Sequence, residues 1–191
     1  KGIFPMADTA ADPELFWVDP KWRGVLPLDH FHISRSMRRF LQRKSITATL
    51  NTNFDVVLFQ CANRAETWIN STLHRNYKEL HELGRCHSLE VWQDGALLGG
   101  VFGITIGGVF CGESMFSKST NGSKSALAFL TTHLINCGFS LFDTQFITDH
   151  LRSLGAVEIS RAAYKSQLAD AINLPVSITS QPVPNCQSVL Q

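Results

Sequence analysis

The chain has 191 residues, 44% of them apolar, and its 17 Lys and Arg against 16 Asp and Glu give a formal charge of +1. This composition excludes a disordered tail, a collagen-like repeat and a small disulfide scaffold. With so weak a whole-molecule field, any contact with a nucleic acid has to come from a local basic patch.

The charges are unevenly placed: residues 1–95 carry 12 basic and 11 acidic side chains, whereas residues 96–191 carry five of each. The five cysteines, Cys61, Cys86, Cys111, Cys137 and Cys186, are odd in number and form no CxxC pair. That pattern is expected of reduced, buried thiols and a cytoplasmic location. No apolar run approaches the roughly 18 to 20 residues of a bilayer span, so no membrane partner is expected. The first residue is Lys1, with neither an initiator Met nor a signal-peptide pattern, which is expected of a shortened N-terminus.

Residues 1–31 are rich in Pro and aromatic side chains and show no helical period; short strands in irregular chain are expected there. From Ser34 onward, Ile33, Met37 and Phe40 or Leu41 recur at helical spacing, with Arg35, Arg38, Arg39, Arg43 and Lys44 between them. This predicts an amphipathic helix with a strongly basic surface. A strand over SITATL and a helix over NTNFDVVLFQCA follow, the latter capped by Asn51 or Thr52. Ser71 to Leu83 is a further helix, stopped by Gly84.

HSLEVWQ, ALLGGVFGITI and VFCGESMF are separated by Asp94-Gly95 and Gly107-Gly108, pairs that supply the positive φ of tight hairpins. A three-stranded antiparallel meander is predicted. Gly99, Gly100 and Gly103 in its middle strand point to a bulge or a close approach by another group. NGSKSALAFLTTHLINCG is a helix capped by Asn121 or Ser123, with Leu127, Leu130 and Leu134 along one side. FSLFDTQF reads as a buried strand, TDHLRSLG as a short helix and AVEIS as another strand. From about Leu168 the chain reads as a loose tail.

In FSLFDTQF, alternation puts Asp143 and Gln145 on one face and Phe142 and Thr144 on the other. A carboxylate beside an amide suits the orientation of an amine. Glu113 is the only acidic residue between Asp94 and Asp143, in a strand with Phe110, Met115 and Phe116. Two carboxylates and an apolar wall suit a ligand with a cation and an apolar part; the alternative is a structural pair and a solvated edge. The basic helix suits phosphates, and Trp17, Trp22 and Trp68 are flat surfaces for stacking, although both are also ordinary solvated or core features. There is no HExxH, no paired His/Cys spacing and no GxxxxGK[ST], so no metal site and no phosphate-binding P-loop are expected.

Taken in order, GIFPM, LFWVDPKWRGVLPL, HISRSMRRF, ETWIN, HELGRCHSLEVWQDGALLGGVFGI, FCGESMFSKSTNGSKSAL and FDTQFITDHLRSLGAVEI resemble the leucyl/phenylalanyl-tRNA-protein transferases. The resemblance runs from Gly2 to about Tyr164. It implies transfer of Leu or Phe from Leu-tRNA or Phe-tRNA to the α-amine of proteins beginning with Arg or Lys. The product is a degradation signal, and no cofactor is used. It also implies an α+β fold with a GCN5-related N-acetyltransferase-like domain over residues 32–167, after a small, shortened N-terminal domain (1–31) and before a tail (168–191), in a monomer.

By the same resemblance Glu113, Asp143 and Gln145 are catalytic, and Val101, Phe110, Met115, Leu130, Leu134 and Phe142 line the pocket for the Leu or Phe side chain. Trp17 and Trp68 hold the tRNA 3′ end, and Arg35, Arg38, Arg39, Arg43 and Lys44 hold its phosphates. The family's Asp-Cys-Gln is Asp143-Thr144-Gln145 here. The alternatives are an acetyl-CoA-dependent N-acetyltransferase, against which the missing [RQ]xxGx[GA] loop argues, and a non-enzymatic RNA-binding module, which leaves the acidic pair unexplained.

Overall fold

The fold was analysed in a computed structural model that describes residues 1–43, 45–64 and 67–191. Chain order is β1 (Phe4–Met6), β2 (Phe16–Val18), β3 (Trp22–Val25), α1 (Arg35–Arg43), β4 (Ile46–Leu50), α2 (Phe54–Ala62) and α3 (Ser71–Glu82). The meander β5 (Cys86–Gln93), β6 (Ala96–Ile106) and β7 (Val109–Ser117) comes next. Then follow α4 (Gly122–Asn136), β8 (Leu141–Gln145), α5 (Asp149–Arg152), β9 (Val157–Ser160), α6 (Arg161–Ala171) and α7 (Cys186–Val189).

Seven strands form one sheet in the order β4-β5-β6-β7-β8-β3-β9, while β1 and β2 pair apart from it. Asp94 and Gly95 both have positive φ, 49° and 80°, so the β5–β6 turn is of the kind that follows strand twist. Every neighbouring pair in the large sheet is antiparallel except β7 and β8. These two run parallel for three positions, ending at Cys111 opposite Asp143. Beyond that point β8 keeps only its partner on the far side, β3.

One face of the sheet is covered by α1, α4, α5 and α7, whose Met37, Leu41, Leu127, Leu130, Leu134, Leu151 and Val189 are buried together with Val101, Phe110 and Phe142. The other face carries α2 and α3, packed through Phe54, Leu58, Leu73 and Tyr77 on Phe102 and Phe116. Farther along that face, α6 packs Tyr164 and Ala171 on Val25, Val109 and Leu141.

The glycines of β6 serve close approach. A Cβ at Gly99 would lie 2.6 Å from the backbone of Gly122, where α4 begins, and one at Gly103 would lie 2.3 Å from the Cys111 carbonyl oxygen. Neither Asn51 nor Thr52 caps α2; its N-cap is Asn53, without a side-chain bond. Asn121 caps α4 by position only, and Ser117 Oγ accepts the Ser123 N–H instead.

Two expectations about organisation change. β3 falls within residues 1–31, yet it is an interior strand of the large sheet, because β8 and β9 flank it on either side. The last twenty-odd residues are not loose. α6 runs through residue 168, Ile178 and Val189 are buried in the main core, and the Ile178 carbonyl bonds the His133 ring at 2.7 Å. Among the described residues no helix is long and apolar enough to cross a membrane.

Candidate active site

The site forms where β7 and β8 part. In β7 the pairing with β6 skips one residue: Phe102 faces Ser114 and Gly103 faces Gly112, leaving Glu113 as a bulge. A regular strand would put Phe110 and Met115, five residues apart, on opposite faces. The bulge reverses the alternation, so both pack on the α4 side, while Phe116 turns to the α3 side.

Glu113 lines two cavities. The first, of about 90 Å³, is walled by Val101, Gly112, Ser114, Met115, Leu127, Phe142, Thr144 and Leu151. The second, of about 190 Å³, lies on the α6 side against Ile104, Ile106, Cys111, Gln145, Leu168 and Ile172, and the segment Lys1 to Pro5 borders it. Burial raises the Glu113 carboxyl to about 7, opposed by hydrogen bonds from Tyr77 and Gln145 and by the charge of Arg23; Asp143 adds to the rise. The Tyr77 hydroxyl donates to Glu113 at 2.8 Å.

Asp143 and Gln145 share the face opposite Phe142, as alternation predicts, but Asp143 is not available to an amine. It is 0% exposed, and both of its oxygens are occupied. Oδ1 accepts from Arg23 Nε at 2.8 Å and from the Gln145 N–H at 2.9 Å. Oδ2 accepts from Arg23 Nη2 at 2.6 Å and from the Tyr164 hydroxyl at 2.8 Å. The expectation that Asp143 attracts or deprotonates the substrate amine is therefore corrected: its charge is already neutralised inside the protein. Burial, first of all, pushes the neighbouring Cys111 thiol well above its ordinary value, which favours the neutral thiol over the thiolate.

Of the expected pocket residues, Val101, Met115 and Phe142 line the smaller cavity. Phe110 stands behind that wall with its ring edge-on to Phe142 at 5.2 Å, and Leu130 and Leu134 are buried in the core. Leu127, one turn nearer the start of α4, reaches the cavity in their place. The helical stripe in the sequence gives the right face of α4 but not the turn that meets the opening.

Trp17 is 66% exposed on β2. Trp68 is half-buried, edge-on to Tyr77, and lines a separate open cavity of about 600 Å³ with Arg64 and residues Asp8 to Ala11. The Arg64 guanidinium bonds the Met115 carbonyl, so this cavity borders the strand that carries Glu113. On α1, Arg35, Arg38 and Arg39 are exposed, but Arg38 donates to the Leu190 carbonyl at 2.7 Å and so holds the C-terminal segment. Arg43 ends α1, and Lys44 lies outside the described residues.

These features define an α+β domain in which a single bulged glutamate lines two mostly apolar cavities. The sequence profile of the family described as leucyl/phenylalanyl-tRNA protein transferase matches residues 25–169. A leucyl/phenylalanyl-tRNA-protein transferase of Dinoroseobacter shibae is 54% identical over 183 residues, covering 96% of this chain and 82% of its own. One from Ruegeria sp. (strain TM1040) is 53% identical over 190 residues, covering 100% of this chain and 90% of its own. Among solved structures, L-PGS from Bacillus licheniformis aligns with a TM-score of 0.46 at 12% identity, covering 79% of this chain and 51% of its own. The chain belongs to the leucyl/phenylalanyl-tRNA-protein transferase family.

Proposed function

We propose that the chain moves Leu or Phe from its tRNA to the α-amine of proteins beginning with Arg or Lys, in the cytoplasm, on a domain of GCN5-related N-acetyltransferase type. The observation that carries this reading is that Glu113 lines two separate, mostly apolar cavities, one on the α4 side of the sheet and one on the α6 side. A two-substrate acyl transfer needs an apolar seat for one partner and a separate approach for the other. The fold assignment is supported by the parallel pair β7 and β8, which parts after three positions beside the cavity.

In this reading the Leu or Phe side chain enters between Val101, Met115, Leu127 and Phe142, and the ester carbonyl lies at the bulge. The acceptor amine approaches from the α6 side, past Gln145. Its nitrogen forms a C–N bond with the ester carbon as the C–O bond to the ribose breaks. Glu113 takes the amine proton and the leaving ribose oxygen receives it. A base at about 7 is well matched to an α-amine that titrates near pH 8. The ester is already activated, so positioning is the main contribution and no ATP is required. Trp17 and Trp68 stack the tRNA 3′ end, and Arg35, Arg39, Arg43 and Lys44 contact phosphates, a role that needs no base code.

The test offers Leu-tRNA and Phe-tRNA together with peptides beginning Arg, Lys or Ala. Product confined to the Arg and Lys peptides is the expected result. A folded protein that binds aminoacyl-tRNA and yields no product would overturn the assignment.

A further inference from the structure

No motif in the sequence singles out Arg23, yet it is among the most constrained side chains of the protein. It comes from β3, is 3% exposed, and spends every nitrogen on a fixed partner. Nε and Nη2 grip both oxygens of Asp143, and Nη1 donates to the Gly2 carbonyl at 2.9 Å. Its guanidinium also lies over the rings of Phe4 and Tyr164, at 4.6 and 4.4 Å from their centroids.

Tyr164 completes the clamp through its hydroxyl on Asp143 Oδ2. β3 fits at this place only because Gly24 has no side chain: a Cβ there would stand 2.7 Å from the Phe146 backbone and 2.8 Å from Thr144 Oγ1.

The fourth bond to Asp143 gives the cluster a consequence beyond packing. Oδ1 accepts the N–H of Gln145, and Gln145 is held at φ 64°, a left-handed conformation that costs energy in any residue but glycine. An anchored carboxylate two residues earlier compensates that strain and turns the chain at the end of β8. The Gln145 side chain is then placed in the lining of the same cavity as Glu113, where it favours the charged carboxylate.

We propose that Arg23 and Tyr164 are positioning residues for the transfer: by locking the Asp143 carboxylate, they fix the left-handed turn at Gln145 and set its amide against Glu113. This rests on the reading of Glu113 and Gln145 as the groups that meet the amine. Arg23 and Tyr164 border the cavity on the α6 side, but every nitrogen of Arg23 is already bonded within the protein, so in this scheme it acts through Asp143. It also ties the Gly2–Phe4 segment to the reacting pair, since one guanidinium serves both.

The groups facing Glu113 are Tyr77 of α3, Asp143 and Gln145 of β8, Arg23 of β3 and the thiols Cys86 and Cys111. Among these, the positive charge of Arg23 and the bond from Gln145 both hold the Glu113 carboxyl down. Loss of the clamp thus moves the acid limb of the rate profile upward, an effect that simple loss of folded protein does not produce.

The experiment measures single-turnover Leu transfer from Leu-tRNA to an Arg-peptide across pH, with rates normalised to the tRNA-binding fraction, for Tyr164→Phe, Arg23→Lys and Arg23→Gln. Tyr164→Phe keeps the ring over Arg23 and loses only the hydroxyl. We expect it to lower kcat by about tenfold with KM for Leu-tRNA within about twofold. Arg23→Gln is expected to cost more and to shift the acid limb above that of the wild type, and Arg23→Lys to recover part of both effects. Wild-type kcat and an unmoved limb in the Arg23 and Tyr164 variants, with Glu113→Gln and Gln145→Ala inactive, would overturn the positioning role alone. Full activity of Glu113→Gln and Gln145→Ala would overturn the underlying reading and this inference with it.

Discussion

The hydroxyl of Tyr77 on α3 donates a 2.8 Å hydrogen bond to the carboxylate of Glu113, the one residue by which β7 departs from regular pairing with β6. A donor of this kind favours the charged form of the acid, whereas burial disfavours it, and burial prevails to leave the group at about 7. If the anion is the base, transfer is full above that value and falls as pH drops through it. Tyr77→Phe removes a donor to the anion, so its acid limb moves to higher pH. The pH dependence of single-turnover transfer measures both; a limb at the same pH in wild type and Tyr77→Phe would exclude the coupling.

The same group links stability to pH. Its folded value of about 7 lies above the ordinary 4.5, so the folded state holds the proton more tightly than the unfolded one. The resulting contribution to stability is fully present below pH 4.5 and is lost as pH rises through about 7. Glu113→Gln, neutral at every pH, is expected to melt close to wild type in acid and several degrees above it at pH 8. Thermal melts across that range read this directly, and a gap of constant size would argue against a titrating Glu113.

Met115 and Leu127 face one another's cavity from β7 and α4, and the space between the walls is about 90 Å³. Met115→Ala enlarges it, which favours the bulkier Phe over Leu. Single apolar contacts are worth about 1–3 kcal/mol in discrimination, so the Phe-to-Leu ratio of kcat/KM is expected to rise by about tenfold. Competition between the two charged tRNAs in one reaction measures the ratio. An unchanged ratio would place the side-chain seat elsewhere.

In the proposed reading the arginines of α1 divide by task. Arg35→Ala with Arg39→Ala is expected to leave the melting temperature unchanged and to weaken tRNA binding. The salt slope of affinity should fall by up to about two, one per lost phosphate contact. Arg38→Ala frees the carbonyl of Leu190 and is expected to lower the melting temperature as the C-terminal segment loosens. Affinity titrations at several salt concentrations separate the two; a slope unaltered in the double variant would remove α1 from the tRNA surface.

Much of the frame is legible in local sequence. The meander is marked by Asp94-Gly95 and Gly107-Gly108, and α1 by Met37 and Leu41, both buried as their spacing requires. Other parts depend on distant partners. WRGV is short and carries an arginine, and it is a strand because β8 and β9 supply its hydrogen bonds. α6 does leave a signal, with Ser160 as its cap and Tyr164, Leu168 and Ala171 at helical spacing. Asp143 and Gln145 stand out by type and alternation, but the availability of Asp143 is decided by Arg23, 120 residues away. No local pattern encodes that pairing.

The extra residue in β7 has a topological effect. A regular sheet is a partition, and each strand presents separate sets of side chains to its two sides. With one residue unpaired, the strand that walls one cavity with Met115 also carries Glu113 into the lining of the other. Beside it the pairing of β7 with β8 has already ended, at Cys111 and Asp143. In the proposed transfer, an acyl group and an incoming amine would meet at the bulge while most of each molecule stays on its own side. Deleting a single residue from this strand would remove the bulge and exchange the occupants of the two walls, a larger change than any side-chain substitution there.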